Sequence, residues 1–276
     1  MSWGHPEIRE AILRALAEDI GSGDATTEAC IPDDAQAAGF FLTREPLVLA
    51  GTPLLPLIYT EEQLEILHTD GTALDEDVVF ARVSGSARRL LAFERTALNF
   101  IQRTSGIATQ ARKFADAVAG TGCTVLDTRK TTPGLRRVEK LAVKAGGCEN
   151  HRTGLFDAIL IKNNHITAAG GVAEALQRCD GSGLSIEIEV RTFEELDAAL
   201  AAGAKRLLLD NFTPERAREA VKRVAGRAKT EISGNITLQN VREYAETGAD
   251  YLSSGALTHS VRAMDISFRI EPLRSE

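Results

Sequence analysis

Beyond Gly120 the chain alternates short apolar runs with alanine-rich helical stretches, and that rhythm restricts its fold more than any other feature. The runs are Thr124 to Leu126, Ala158 to Ile161, Ser185 to Val190, Arg206 to Leu209, Lys229 to Ile232 and Tyr251 to Ser253. Helical patterns lie between most of them, at Gly171 to Arg178, Phe193 to Ala202, Pro214 to Val224 and Leu238 to Thr247. Strand alternating with helix implies parallel strands and right-handed crossovers, hence a doubly wound sheet or a barrel.

The polar residues choose between these. The first run leads into Asp127-Thr128-Arg129-Lys130-Thr131-Thr132 and the second into Lys162-Asn163-Asn164-His165. The third carries Glu187 and Glu189, the fourth leads into Asp210-Asn211, the fifth into Ser233-Gly234-Asn235 and the sixth into Ser254-Gly255. At one strand a solvated loop explains such residues. At every strand in succession they are what an active site at the C-terminal mouth of an α/β barrel requires.

The first hundred residues follow another pattern. Ile8, Ile12, Leu16 and Ile20 recur at four-residue spacing with Leu13 alongside, so an amphipathic helix opens the chain and ends at Gly21-Ser22-Gly23-Asp24. Short β-like runs follow at Phe40 to Leu42, Leu47 to Leu49, Leu64 to Leu67 and Val78 to Val83, separated by glycine, proline and acidic turns. This half reads as a small α/β domain with an open sheet. A long helix from about Leu90 to Val118, interrupted near Ser105-Gly106, leads onward.

Several classes are excluded or disfavoured. The formal net charge of −7 argues against a general nucleic-acid or anionic-membrane binder. Cys30, Cys123, Cys148 and Cys179 form no C-x-x-C pair, so neither a zinc site nor a disulfide framework is expected. Charges at His5, Glu7, Arg9, Glu10 and Arg14 do not suit a signal peptide, and Leu47 to Ile58, broken by Gly51, Pro53 and Pro56, is too short to cross a bilayer. A reduced cytoplasmic protein is the expectation. Trp3 and His5 read as surface or interface residues, and Arg103 and Arg137 as residues equally suited to ordinary salt bridges or to touching a ligand.

Against that acidic background a cationic cluster is informative. Arg129, Lys130, His151, Arg152 and Lys162 converge on the barrel mouth if the strands are read correctly. Arg129 and Arg152 can each grip a carboxylate through paired hydrogen bonds, and Lys162 supplies a point charge. These cations can equally pair with Glu187, Glu189 and Asp210. A phosphorylated sugar with magnesium needs both signs, acids for metal and hydroxyls and bases for phosphates. The loops Ser233-Gly234-Asn235-Ile236-Thr237 and Ser254 to Ser260 follow the last two strands, where barrels commonly hold phosphate. A P-loop is missing from the sequence, which disfavours a nucleotide triphosphatase.

The segment Asp127 to Arg136 closely resembles the D-T-R-K-T-T-P-G-x-R stretch of quinolinate phosphoribosyltransferases, also called nicotinate-nucleotide pyrophosphorylases (carboxylating). Gly146 to Leu155, Leu160 to His165, Glu187-Ile188-Glu189, Ala256 to Ser260, Glu18 to Asp24 and Glu94 to Asn99 resemble the same family in the same order. The resemblance implies an N-terminal α/β open-sheet sandwich domain over 1–106 and an incomplete, TIM-like (α/β) barrel over 107–264. A tail over 265–276 returns to the first domain. It further implies homodimers or multiples of dimers with a shared active site, to which Arg95 of the neighbouring subunit contributes.

By the same resemblance, Arg129, His151, Arg152 and Lys162 form the quinolinate pocket. Lys130, Glu189, Asp210, Ser233, Gly234, Gly255 and His259 surround phosphoribosyl pyrophosphate and magnesium, and the two phosphate loops add Asn235 and Ser254. Lys130, Glu189 and Asp210 are the catalytic candidates, with Glu189 and Asp210 as metal ligands. Cys148 departs from the family, which has a third glycine there; the loop before His151 shifts if that glycine had a positive φ. The expected reaction is phosphoribosyl transfer to quinolinate with loss of carbon dioxide. The alternatives are the molybdenum-transport-associated relative, a Schiff-base lyase using Lys162, and a phosphate-binding module without catalysis.

Overall fold

The computed structural model describes residues 1–273. Its helices are α1 (Pro6–Ile20), α2 (Ala25–Cys30), α3 (Leu55–Ile58), α4 (Ala87–Ala117), α5 (Arg136–Ala145), α6 (Asn163–Ala169), α7 (Val172–Cys179), α8 (Phe193–Ala201), α9 (Pro214–Val224) and α10 (Val241–Ala245). Its strands are β1 (Gln36–Thr43), β2 (Leu47–Val48), β3 (Gln63–Ile66), β4 (Ala73–Leu74), β5 (Val79–Ser86), β6 (Thr124–Leu126), β7 (Ile159–Ile161), β8 (Ile186–Val190), β9 (Arg206–Asp210), β10 (Lys229–Ser233), β11 (Tyr251–Ser253) and β12 (Ile266–Pro272). Internal contacts group Met1–Arg112, Thr132–Gly147 and the chain from Ser260 onward into one compact unit, and Lys113–Thr131 with Cys148–His259 into a second. Residues 132–147, which the sequence pattern places within the barrel, thus cluster with the first unit.

In the first unit an antiparallel sheet runs β12-β1-β5-β3. The C-terminal strand β12 returns to pair with β1, with Phe41 opposite Phe268; 274–276, the end of the expected tail, lie outside the described residues. The buried face of α1, Ile8 and Ile12, packs into a core with Phe41, Phe80, Leu54 and Leu90. Phe41 anchors it, with ring centroids 4.7 Å from Phe268 and 6.0 Å from Phe80. Each such fully buried side chain contributes roughly 1.5–3 kcal/mol of transfer free energy. His5 caps α1, its Nδ1 accepting from the Glu7 amide at 3.2 Å, and Trp3 packs against the core. Both are therefore parts of the fold rather than bare surface. Leu13 does face solvent, one residue off the buried stripe.

The expected break in the long helix is not there: α4 runs unbroken through Ser105-Gly106. The small residues serve close packing instead. Ser105 Oγ accepts from the Ala50 amide at 3.1 Å, and Thr104 Oγ1 donates to the Ala50 carbonyl at 2.6 Å. A β-carbon on Gly106 would lie 2.2 Å from the Arg262 carbonyl oxygen, so the backbone there excludes any side chain. Of the two roles open to Arg103 and Arg137, the structure shows ion pairs, Arg103 Nη2 with fully buried Glu139 at 2.9 Å and Arg137 Nε with Glu7 at 2.7 Å. Glu139 also accepts from the Thr132 amide and hydroxyl, which fastens the loop before α5.

The second unit is a six-stranded sheet in the order β6-β11-β10-β9-β8-β7, all pairs parallel. Neighbours are consecutive strands from β7 to β11, the last strand β11 pairs with the first strand β6, and β6 and β7 do not pair. The sheet is thus a barrel opened between its first two strands. Ile188, Leu207, Leu209, Ile232 and Leu252 point one way, fully buried, on the side of the flanking helices. Glu189, Leu208 and Glu231 lie in register on the opposite face, as the period of two requires. The helix expected over Leu238 to Thr247 is shorter, its first turn replaced by a Thr237–Asn240 turn in which Asn240 Oδ1 accepts from the Thr237 amide.

Gly106→Ala forces backbone movement against the Arg262 carbonyl and is expected to destabilise the chain by about 1–3 kcal/mol. A lowered thermal midpoint by circular dichroism checks this; an unchanged melt would show that the approach is not tight.

Candidate active site

The barrel's inward residues open onto a cavity of about 910 Å³ at the C-terminal ends of the strands. Arg129, Lys130, His151, Arg152, Lys162, Glu189, Asp210, Ser233, Gly234, Asn235, Ser254, Gly255 and His259 all line it. Arg95 does not; it stands exposed on α4 in the first unit. The volume lies at the upper end of the usual range for small-molecule sites, which suits two ligands side by side better than one.

Local geometry explains how each side chain arrives. The seam beside β6 is closed by residues 149–151, where Glu149 bridges Leu126. Buried Asp127 then accepts from the His151 amide at 2.9 Å and from Asn150 Nδ2 at 2.7 Å, fastening the second segment to the end of the first strand. Arg152 donates from Nη1 to the Ala158 carbonyl at 3.0 Å. Desolvation, then repulsion from Arg129, holds its guanidinium below the usual value. Two like charges held together in this way favour an anion between them. Asp157 accepts from the Thr153 and Gly154 amides and closes the same loop.

Lys162 follows β7, its amide donating to His165 Nδ1 at 2.9 Å. The lysine is exposed; the desolvation that would make it a Schiff-base nucleophile is lacking. Glu189 accepts from the Asn163 amide at 3.4 Å and Asp210 from Asn211 Nδ2 at 3.0 Å. Neither Lys130, Lys162, Glu189 nor Asp210 enters an ion pair among the described residues. The acids at the mouth therefore do not quench these cations, and both signs remain available to ligands. Oxygen donors with only neutral partners fit a hard cation such as magnesium.

The two phosphate loops differ in how they present their groups. Gly234 has φ 104°, and a β-carbon on it would lie 2.2 Å from Asn211 Oδ1, so glycine is required at that turn. Asn211 and Asn235 also adopt left-handed conformations, φ 57° and 55°, a concentration of unusual backbone typical of functional sites. Ser254, by contrast, is buried and donates its hydroxyl to the Ile236 carbonyl at 2.7 Å while accepting from the Ala256 amide. It shapes the turn rather than offering a donor to the cavity.

Beneath the mouth lies a buried polar group that strand-end reasoning missed. Glu231 and Arg206 sit in strand bodies, and their inward phase in β9 and β10 was the available signal. Arg206 bridges Glu187 and Glu231, and His151 Nε2 lies 3.1 Å from Glu187 Oε2. Desolvation and then Glu187 push the Glu231 carboxyl up. Glu187 is held low against its own desolvation by His151 and Arg206, so the two buried carboxyls are driven apart in acidity. Among the described residues, the cluster of three metal-ligand types is His151, Glu187 and Glu231, not a set containing Glu189 and Asp210.

Comparison with known proteins agrees with this geometry. A model of the quinolinate phosphoribosyl transferase N-terminal domain matches residues 24–105, and one of the C-terminal domain matches residues 107–269. The chain belongs to the quinolinate phosphoribosyltransferase family. It is 44% identical over 270 residues to a carboxylating nicotinate-nucleotide pyrophosphorylase of Mycobacterium leprae, covering 94% of this chain and 95% of that one. A chloroplastic enzyme of the same name from Arabidopsis thaliana is 41% identical, covering 97% and 84%. The solved nicotinate-nucleotide pyrophosphorylase of Francisella tularensis superposes with a TM-score of 0.92 at 37% identity, covering 97% and 98%.

Cys148 does not disturb the loop as a lost positive-φ glycine would. The left-handed position is Gly147, φ 97°, and Cys148 has ordinary φ. Desolvation, then Asp127, pushes its thiol up to about 12, and Cys123 is pushed to the same level, chiefly by burial. A thiol reagent at mildly alkaline pH should label exposed Cys30 in the native protein and spare Cys123 and Cys148 until denaturant is added. Mass spectrometry of the labelled peptides decides it.

Proposed function

We propose that the chain joins quinolinate to phosphoribosyl pyrophosphate, releasing carbon dioxide and pyrophosphate and forming nicotinate mononucleotide for NAD biosynthesis. The observation that carries this reading is the joint presence at one cavity of Arg129, Lys130, Arg152 and Lys162 with Glu189 and Asp210, in a chain of this family. The cations suit a dicarboxylate and phosphates; the acids suit ribose hydroxyls and a divalent ion.

Arg129, Arg152 and Lys162 grip the two carboxylates and aim the ring nitrogen at C1 of the ribose, so that positioning supplies much of the rate. Lys130 and the loops at Gly234 and Gly255 hold the phosphates, while Glu189 and Asp210 face the ribose, where positive charge develops as pyrophosphate departs. Glu189 and Asp210 would hold magnesium, which would supply positive charge against the departing pyrophosphate. Once the ring nitrogen is alkylated, the C2 carboxylate leaves because the carbanion it generates sits beside a positive nitrogen. No protein nucleophile is needed.

Because Arg95 is exposed and is not among the residues that line the cavity, we place it at the cavity of a second copy in a homodimer or dimer multiple. A cytoplasmic location without nucleic-acid or membrane partners fits the net charge of −7 and the free cysteines. No described helix is long and apolar enough to cross a membrane.

Arg152→Ala should lower kcat/KM for quinolinate by about 100-fold or more, in line with the ~2–5 kcal/mol cost of truncating a buried charged contact. The Kd for phosphoribosyl pyrophosphate and the thermal melt should stay near wild type. Normal turnover of quinolinate by the variant would remove Arg152 from the pocket.

A further inference from the structure

Three consecutive strands, β8, β9 and β10, bring Glu187, Arg206 and Glu231 together, with Glu231 lining the cavity and the other two outside its wall. Both glutamates are buried, at 5% and 0% exposure. Arg206 Nε donates to Glu187 Oε1 at 2.9 Å and Nη2 donates to Glu231 Oε2 at 2.5 Å, with the guanidinium 4.5 Å over the Tyr251 ring. The remaining oxygens, Glu187 Oε2 and Glu231 Oε1, lie 3.1 and 3.5 Å from His151 Nε2. On the far side of the imidazole, Nδ1 accepts from the Arg152 amide at 2.7 Å. An acceptor at Nδ1 requires the ring hydrogen to sit on Nε2, where Glu187 receives it. Arg206 itself is not part of the cavity wall.

We propose that Arg206 is a positioning residue for dicarboxylate binding: by bridging Glu187 and Glu231 it locks the tautomer and orientation of His151, which in turn fixes the backbone that carries Arg152. This rests on the reading that Arg152 binds quinolinate. Without the bridge, two buried carboxyls face each other and one rotates away, so His151 loses the acceptor that keeps its hydrogen on Nε2. A hydrogen on Nδ1 would oppose the Arg152 N–H, and the 151–157 loop would shift. A divalent ion bound by His151, Glu187 and Glu231 is disfavoured, because the guanidinium already takes one oxygen of each carboxyl and supplies the positive charge.

Arg206→Lys keeps the charge but not the planar fork. It should raise KM for quinolinate by about tenfold or more, leave KM for phosphoribosyl pyrophosphate within about twofold, and change kcat less than KM. Glu187→Gln, which removes the charged acceptor, serves as a second variant should Arg206→Lys fold poorly. The ¹⁵N shifts of the His151 imidazole, identified by comparison with His151→Gln, give a readout independent of turnover. They should report the Nε2–H tautomer in the wild type and a changed tautomer mixture in the variants. A folded variant with wild-type ¹⁵N shifts, or with equal changes in both KM values, overturns the proposal. Inactive wild-type protein that still shows the tautomer change would defeat the substrate reading alone.

Discussion

Side chains alternate across a β-strand, and the rest of this molecule's chemistry depends on that constraint. In β8, β9 and β10 the outward phase is Ile188, Val190, Leu207, Leu209 and Ile232, all buried. The inward phase carries Glu187, Glu189, Arg206, Asp210, Glu231 and Ser233 alongside Leu208. A one-residue slip in any of these strands would put charge among the helices and leucine into the cavity. Apolar burial on one face therefore sets the register of the polar and charged groups on the other.

Height along the strands then sorts the charges. At the mouth, Glu189 and Asp210 line the same cavity as Lys130 and Lys162, and none of the four enters an ion pair among the described residues. Deeper, where water is excluded, Glu187, Arg206 and Glu231 are tied to one another. Burying such a group is costly and seldom improves stability over apolar packing; its value here is directional, since it determines how His151 is held. The clasp of Asp127 on Asn150 and His151 does the same from the seam side, where the barrel lacks a strand pair.

Much of this was legible because the signals were periodic. The six parallel strands and their polar ends follow directly from runs such as Ser185 to Val190, and the called residues other than Arg95 lie around one cavity. Ser105-Gly106 misled because glycine in a helix signals a break by propensity, whereas here it admits the Arg262 carbonyl. The helix before Thr247 was overextended because Asn240 caps a turn that composition alone does not distinguish from helix. Arg206 and Glu231 carry no strand-end signal, because Arg206 opens β9 and Glu231 lies midway along β10, away from the polar strand ends. The hydroxyl of Ser254 reads as a phosphate donor until its bond to Ile236 is seen.

In the proposed reaction, cations at one barrel mouth bind both carboxylates of quinolinate so that its ring nitrogen attacks the ribose and the C2 carboxylate departs. The most direct measurement uses quinolinate isotopically labelled in that carboxylate, with phosphoribosyl pyrophosphate and magnesium. Labelled carbon dioxide released in step with nicotinate mononucleotide and pyrophosphate, with nicotinate itself left unconsumed, is the predicted result. Equal turnover of nicotinate by the folded protein, or ribosyl transfer that retains the label, would contradict it.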